Sequence, residues 1–158
     1  MTIPLESSAF QAGAAIPDKY AEDGDDISPP LAWDNVPPGT KEFALICDDP
    51  DAPSKEPWVH WVLYKIPGEV RELPEGVPAD ERLGSPPGAL QGVNSWPSGR
   101  TVGYRGPAPP SGTHHYHFRL YALDALLKLE AKANKAEVLK AMKGHVLAEG
   151  ELMGTYKR

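Results

Sequence analysis

A single cysteine, Cys47, stands in the 158 residues of this chain, so no internal disulfide can form and no oxidising compartment is needed. Cys47 closes the apolar run Phe43-Ala44-Leu45-Ile46-Cys47, a setting that suits a buried structural thiol better than a reactive one. Positive charge is in deficit: 16 Lys and Arg stand against 22 Asp and Glu, a net charge of −6. That balance is repelled by a phosphate backbone and argues against nucleic-acid binding, while leaving room for a local pocket that takes one anion. No apolar run is long enough to span a bilayer. The start, Met1-Thr2-Ile3-Pro4-Leu5, lacks the basic and apolar regions of a secretory signal, so the cytoplasm is the expected location. What abounds is proline, 18 residues, with 15 glycines. Proline is poorly tolerated inside helices and central strands, so one domain of short strands, long stiff loops and few helices is expected.

Residues 1–20 read as a loose edge anchored by Phe10 and Ile16, and residues 22–30 as an acidic turn-rich loop. Strand signals fall on Leu31-Ala32-Trp33, on 41–47, on 58–66 and on 114–123, all rich in β-branched and aromatic residues. Residues 68–112 are dominated by Gly, Pro and Ser, with a short helical signal near Ala79–Leu83. So long a loop-rich stretch is usually functional or held down by side chains. Near the end, Asn134 and Glu137 have the spacing of a capping box, and Val138, Leu139, Met142 and Val146 follow a helical stripe with Lys140 and Lys143 outside it.

Three segments concentrate polar groups. Asp48-Asp49-Pro50-Asp51 follows a strand and sits where a sheet rim opens, although the same residues make a good turn. Trp58-Val59-His60-Trp61 lies on a strand whose alternation groups 58, 60, 62, 64 and 66 on one face, embedding His60 among large apolar side chains. A histidine there is usually a core residue, unless a nearby carboxylate fixes its tautomer. In the third segment alternation sends His114, Tyr116, Phe118 and Leu120 inward and His115, His117, Arg119 and Tyr121 outward. The preceding loop, Gly106 to Gly112, offers N–H groups at Gly106, Ala108, Ser111 and Gly112 that could converge on an oxyanion, and its X-Pro bonds are candidates for the cis form. Metal ligation by His60, His114, His115 and His117 is disfavoured because alternation separates the neighbouring rings. A nucleophilic enzyme is disfavoured too, since no Gly-x-Ser-x-Gly turn occurs.

Two long signatures now stand in order. The first is Asp49-Pro50-Asp51-Ala52-Pro53 followed by Trp58-Val59-His60-Trp61; the second runs from Gly103 through Gly106-Pro107-Ala108-Pro109-Pro110 into His114-His115-Tyr116. With Asn94-Ser95-Trp96 and the tail around Ala141–Ala148 and Gly154-Thr155-Tyr156, the chain resembles the phosphatidylethanolamine-binding protein family, in its bacterial Raf-kinase-inhibitor-like branch. The resemblance implies an antiparallel β-sandwich with a few peripheral helices and a pocket for phosphate, acetate or a phosphorylated head group. Asp49, His60, His114 and Tyr116 would line that pocket, and Asp51, Trp58, Gly106, Pro107 and Pro110 would shape it. It implies no catalysis, no metal and no cofactor. The alternative it carries is a regulator that binds and inhibits a kinase or serine protease, and homodimers occur among the relatives. Arg105 and His115 depart from the usual Gly and Arg at those positions, and Arg105 could place a cation near the mouth. Ala108 replaces a frequent Cys. The expected mechanism has Asp49 orient one histidine while His60, His114 and Tyr116 donate hydrogen bonds to the anion, so that binding weakens as pH rises through the histidine range.

Overall fold

The computed structural model describes residues 2–158. Their strands are β1 (Leu5–Glu6), β2 (Leu31–Trp33), β3 (Glu42–Asp49), β4 (Trp58–Pro67), β5 (Glu72–Leu73), β6 (Leu90–Gln91), β7 (Thr113–Leu123) and β8 (Val146–Lys157), with one α-helix, α1 (Lys135–Met142). Five strands form a large antiparallel sheet in the order β6-β4-β3-β7-β8, and β1-β2-β5 form a small antiparallel one.

Every residue of β3 is buried, because both faces of this central strand are covered. On one face Phe43, Leu45 and Cys47 join Trp61, Leu63, Phe118 and Leu120 against Leu5, Trp33 and Leu73 of the small sheet. The Trp33 and Phe43 rings meet edge to face at 5.4 Å. On the other face Ala44, Ile46, Val62 and Tyr64 pack on Val138 and Met142 of α1. Burying each such side chain fully contributes about 1.5–3 kcal/mol, so both layers are strongly held. The result is the expected β-sandwich, backed by a helix.

The capping box of α1 is closed on both sides: Glu137 N–H donates to Asn134 Oδ1 (2.8 Å) and Asn134 N–H to Glu137 Oε1 (3.1 Å). The helix is shorter than its apolar stripe suggests. It ends at Met142, Leu139 is 38 % exposed, and Val146 begins β8 instead. Gly144, at φ +83°, makes the turn between them. β8 pairs with β7 from Thr113 to Leu123. Its glycines, atypical of a strand, have a local reason. The N-terminal segment crosses them, and a Cβ on Gly154 would lie 2.8 Å from the Phe10 ring. Residues 2–20 are therefore not a loose edge; Ile3 N–H donates to the Glu149 carbonyl (2.8 Å) and Ile16 N–H to that of Thr155 (2.7 Å).

Two further expectations are corrected. Residues 79–83 are not helical: Leu83 N–H bonds to the Ala89 carbonyl and Gln91 N–H to that of Glu81, drawing the segment alongside β6. Nor does β4 alternate strictly. It carries one extra residue opposite Phe43–Leu45, where Lys65 takes φ +56°, and another opposite Cys47–Asp48. The second bulge is His60, since Cys47 faces Trp61 and Asp48 faces Val59. His60 therefore does not share a face with Val62 and Tyr64. It turns to the side of Trp61 and Leu63, toward β7. No helix among the described residues is long and apolar enough to cross a membrane.

Candidate functional site

The bulge delivers His60 to a cavity of about 260 Å3 at the rim of the large sheet. Asp49 comes from the end of β3, Trp58 and His60 from the start of β4, and His114 and Tyr116 from the start of β7. Loop residues complete the wall, Ala52–Ser54 on one side, Trp96 on another, and Ala108–Pro110 opposite. Most of the lining is apolar, so the few polar atoms that enter it act in a medium of low dielectric.

Asp49 is buried, and both of its oxygens are committed. Oδ1 accepts the Asp51 N–H (2.8 Å) and Oδ2 accepts from His114 Nδ1 (2.6 Å). A carboxylate against Nδ1 puts the proton on that nitrogen and turns Nε2 of His114 to the cavity. His60 is 3 % exposed, and its Nδ1 lies 2.7 Å from the Arg105 carbonyl oxygen. A carbonyl only accepts, so Nδ1 carries the hydrogen and donates it there. Burial pushes the His60 pKa down to about 4, outweighing the Arg105 carbonyl and the carboxylates of Asp49, Asp26 and Asp48. The neutral ring therefore offers Nε2 as a lone pair. The expectation has His60 donate to an anion; with Nδ1 spent on the Arg105 carbonyl, the neutral ring has only an acceptor left.

The edge of the His60 ring meets Trp96 and Tyr116, each at a centroid distance of 5.0 Å, and Trp96 in turn meets Trp58 at 5.4 Å. This aromatic packing holds the imidazole in place. Tyr116 is 1 % exposed and its hydroxyl has no hydrogen-bond partner. The Ala108 N–H is close to that oxygen without closing a bond. Burial and the Asp49 charge push the phenol pKa up, so the hydroxyl keeps its proton and is free to donate.

The other motif residues stand behind the wall. Gly106 does not line the cavity; its N–H donates to Asp26 Oδ1 (2.6 Å) and its Cα abuts the Tyr20 carbonyl. Pro107 accepts the Glu22 N–H. Gly112 N–H is used by the Arg158 carbonyl (2.9 Å), so neither glycine amide is available to an anion. Asp51 turns outward and takes both the backbone and ring N–H of His115. His117 pairs with Glu151 on the same outer face. Arg105 sends no cation into the mouth: it stacks on Trp96 (4.8 Å) and approaches Asp26 at 3.7 Å. The one cis peptide bond among the described residues is Ser85-Pro86, outside the 106–112 loop. Trp96, the Arg105 carbonyl and the Ala52–Ser54 segment were not singled out as pocket residues by sequence reasoning. The Asn94-Ser95-Trp96 motif was the available signal for the first.

Comparison with known proteins places this geometry among relatives. The family model for phosphatidylethanolamine-binding protein matches residues 6–157. A UPF0098 protein of Methanothermobacter thermautotrophicus is 56 % identical over 154 residues, covering 98 % of each chain. Another, from Chlamydia muridarum, is 40 % identical over 158 residues, again covering 98 % of each. Among solved structures, a phosphatidylethanolamine-binding protein homolog from Chlamydia trachomatis superposes with a TM-score of 0.88 at 39 % identity, covering 99 % of this chain and 98 % of that one. YbcL of E. coli, described as a member of the mammalian PEBP family, superposes with a TM-score of 0.89 at 29 % identity, covering 100 % and 99 %. A sandwich of this order, matched over nearly its whole length, puts the chain in the phosphatidylethanolamine-binding protein family.

Proposed function

We propose that this protein is a non-catalytic binding module for a small oxyanion, phosphate or a phosphorylated group, held in the cavity between His60, His114 and Tyr116. The observation that carries this reading is the Tyr116 hydroxyl, buried, without a protein partner, and beside two imidazoles whose Nδ1 atoms are already engaged. A polar atom buried that way costs about 1–3 kcal/mol unless something bonds to it. Tyr116 donates its proton, His114 donates through Nε2 when protonated, and Asp49 stays behind His114 and away from the ligand. Binding is favoured over turnover because Ser54, the hydroxyl at the rim, gives its proton to the Glu56 carbonyl (2.6 Å) and not to His114. A base–nucleophile pair is therefore not set up.

The test is a phosphate titration followed by NMR. Resonances of His114, Tyr116, Ala108 and the Trp96 indole are expected to move together and saturate at millimolar phosphate. No perturbation at those positions refutes the reading. Asp49→Ala removes the acceptor that orients His114 and is expected to weaken phosphate binding about tenfold or more. Asp51→Ala, two residues on but facing outward, is expected to leave affinity within about twofold. Equal effects of the two would mean that the Asp49–His114 contact plays no part in binding.

A further inference from the structure

His60 presents an acceptor, Nε2, to the cavity, and that acceptor constrains what fits. Resting on the anion-binding reading above, we propose that the pocket selects oxyanions that retain a hydroxyl proton, such as hydrogen phosphate or a phosphomonoester monoanion, over fully ionised oxyanions of the same charge and shape.

The argument rests on the hydrogen-bond directions. His60 Nδ1 must donate, because its partner 2.7 Å away is the Arg105 carbonyl oxygen. Nε2 is then the only remaining polar atom of a ring that is 3 % exposed and lines the cavity. It has no protein donor to satisfy it. Protonating it would place a charge on a ring that is buried against Trp96 and Tyr116 and out of reach of water on most sides. The groups that could favour that proton are few. Asp49 bonds His114 instead, Asp26 is occupied by the Gly106 amide and lies near Arg105, and Asp48 pairs with Arg119 (3.0 Å) and Lys135 (2.6 Å) on the opposite face. Among the described residues, no carboxylate bonds to Nε2. Burial keeps the ring neutral down to about pH 4, in agreement with the geometry.

An oxyanion in the cavity therefore meets two kinds of atom. Tyr116 O–H, the buried donor without a partner, bonds to an anionic oxygen. His60 Nε2 repels a bare anionic oxygen and attracts a P–OH. Hydrogen phosphate satisfies both. Sulfate at neutral pH has no proton to give, so an oxygen placed against His60 Nε2 faces a lone pair. A phosphodiester likewise carries no P–OH, which places hydrogen phosphate and the monoanionic form of a monoester ahead of diester head groups as ligands.

The experiment compares phosphate and sulfate at about pH 8, where both are dianions, at constant ionic strength, by calorimetry and NMR. Phosphate is expected to bind about tenfold tighter or more, the loss of one hydrogen bond from P–OH to His60 Nε2. His60→Gln, whose amide can rotate a donor toward the anion, is expected to bring the ratio close to one. Sulfate binding within about twofold of phosphate in the native protein overturns the selectivity while leaving the anion-binding reading intact. An unchanged ratio in a folded His60→Gln protein would assign the selectivity to another group and overturn the role of His60. If neither anion perturbs the pocket at millimolar concentration, both readings fall together.

Discussion

Gly106→Ala is expected to lower stability by about 3 kcal/mol or more and to weaken phosphate binding, although Gly106 touches no ligand site directly. A Cβ at this position would run into the Tyr20 carbonyl oxygen and lie 2.9 Å from the Ala21 Cα. Both obstacles are backbone, so no side chain can swing aside, and the 106–112 segment itself must move. Overpacking of this kind costs about 1–3 kcal/mol, and the displacement also endangers the bond from Gly106 N–H to the half-buried Asp26 carboxylate, which adds about 1.5–3 kcal/mol. Thermal unfolding followed by circular dichroism should show a fall in Tm of about 6–12 °C. A substitution that leaves Tm within about 2 °C of the native protein would mean that the Gly106–Tyr20 approach is not a close one in solution. Because Ala108–Pro110 form one wall of the cavity, phosphate affinity should fall in the same variant even at temperatures where it is fully folded.

The second large effect is on stability against pH. His60 has a reference pKa of 6.5 and a folded value of about 4. Below about pH 6.5 the unfolded chain takes up a proton on His60 that the folded chain refuses until about pH 4. Acid therefore drives unfolding through this residue. Its contribution is complete above about pH 6.5 and is lost as pH falls toward 4, at up to about 1.4 kcal/mol per pH unit and about 3 kcal/mol in all. Carboxylates titrate over part of the same range, so the informative quantity is a difference. Urea unfolding of the native protein and of His60→Gln, measured at half-unit steps from pH 7 to 4, should give a visibly steeper acid limb for the native protein. Parallel limbs would show that the imidazole is hydrated in the folded state, and would remove the basis for its lone pair in the cavity.

Much of the fold was legible because its strongest signals are local. The strand expected at 114–123 is found at 113–123 with the expected faces, because its register is regular up to Ala122 and its inward side chains, Tyr116, Phe118 and Leu120, are large. The capping box at Asn134 and Glu137 is equally local and equally clear. β8 was missed because Glu, Gly and Met dilute its β signal. What makes Gly150 and Gly154 suitable there is the N-terminal segment lying across them, a contact distant in sequence. The face of His60 was misassigned for the opposite reason. Period-two reasoning assumes one residue per partner, and a bulge opposite Cys47–Asp48 breaks that count without leaving a glycine or proline to mark it. Of the motif residues, the structure brings Asp49, Trp58, His60, Pro110, His114 and Tyr116 to one cavity and leaves Asp51, Gly106 and Pro107 behind its walls. The direction of the His60 hydrogen bond could not have been read from sequence at all, because its partner is a main-chain oxygen 45 positions away.

The walls of the cavity come from β3, β4, the turn at Trp96, the segment before β7, and β7 itself, segments distant in sequence that lie together once β3 has paired with both β4 and β7. A half-assembled chain thus has no binding site, and a ligand that occupies the cavity recognises the finished fold alone. By mass action, an occupant present at a hundred times its dissociation constant would add about 2.7 kcal/mol to the resistance of the entire domain to unfolding.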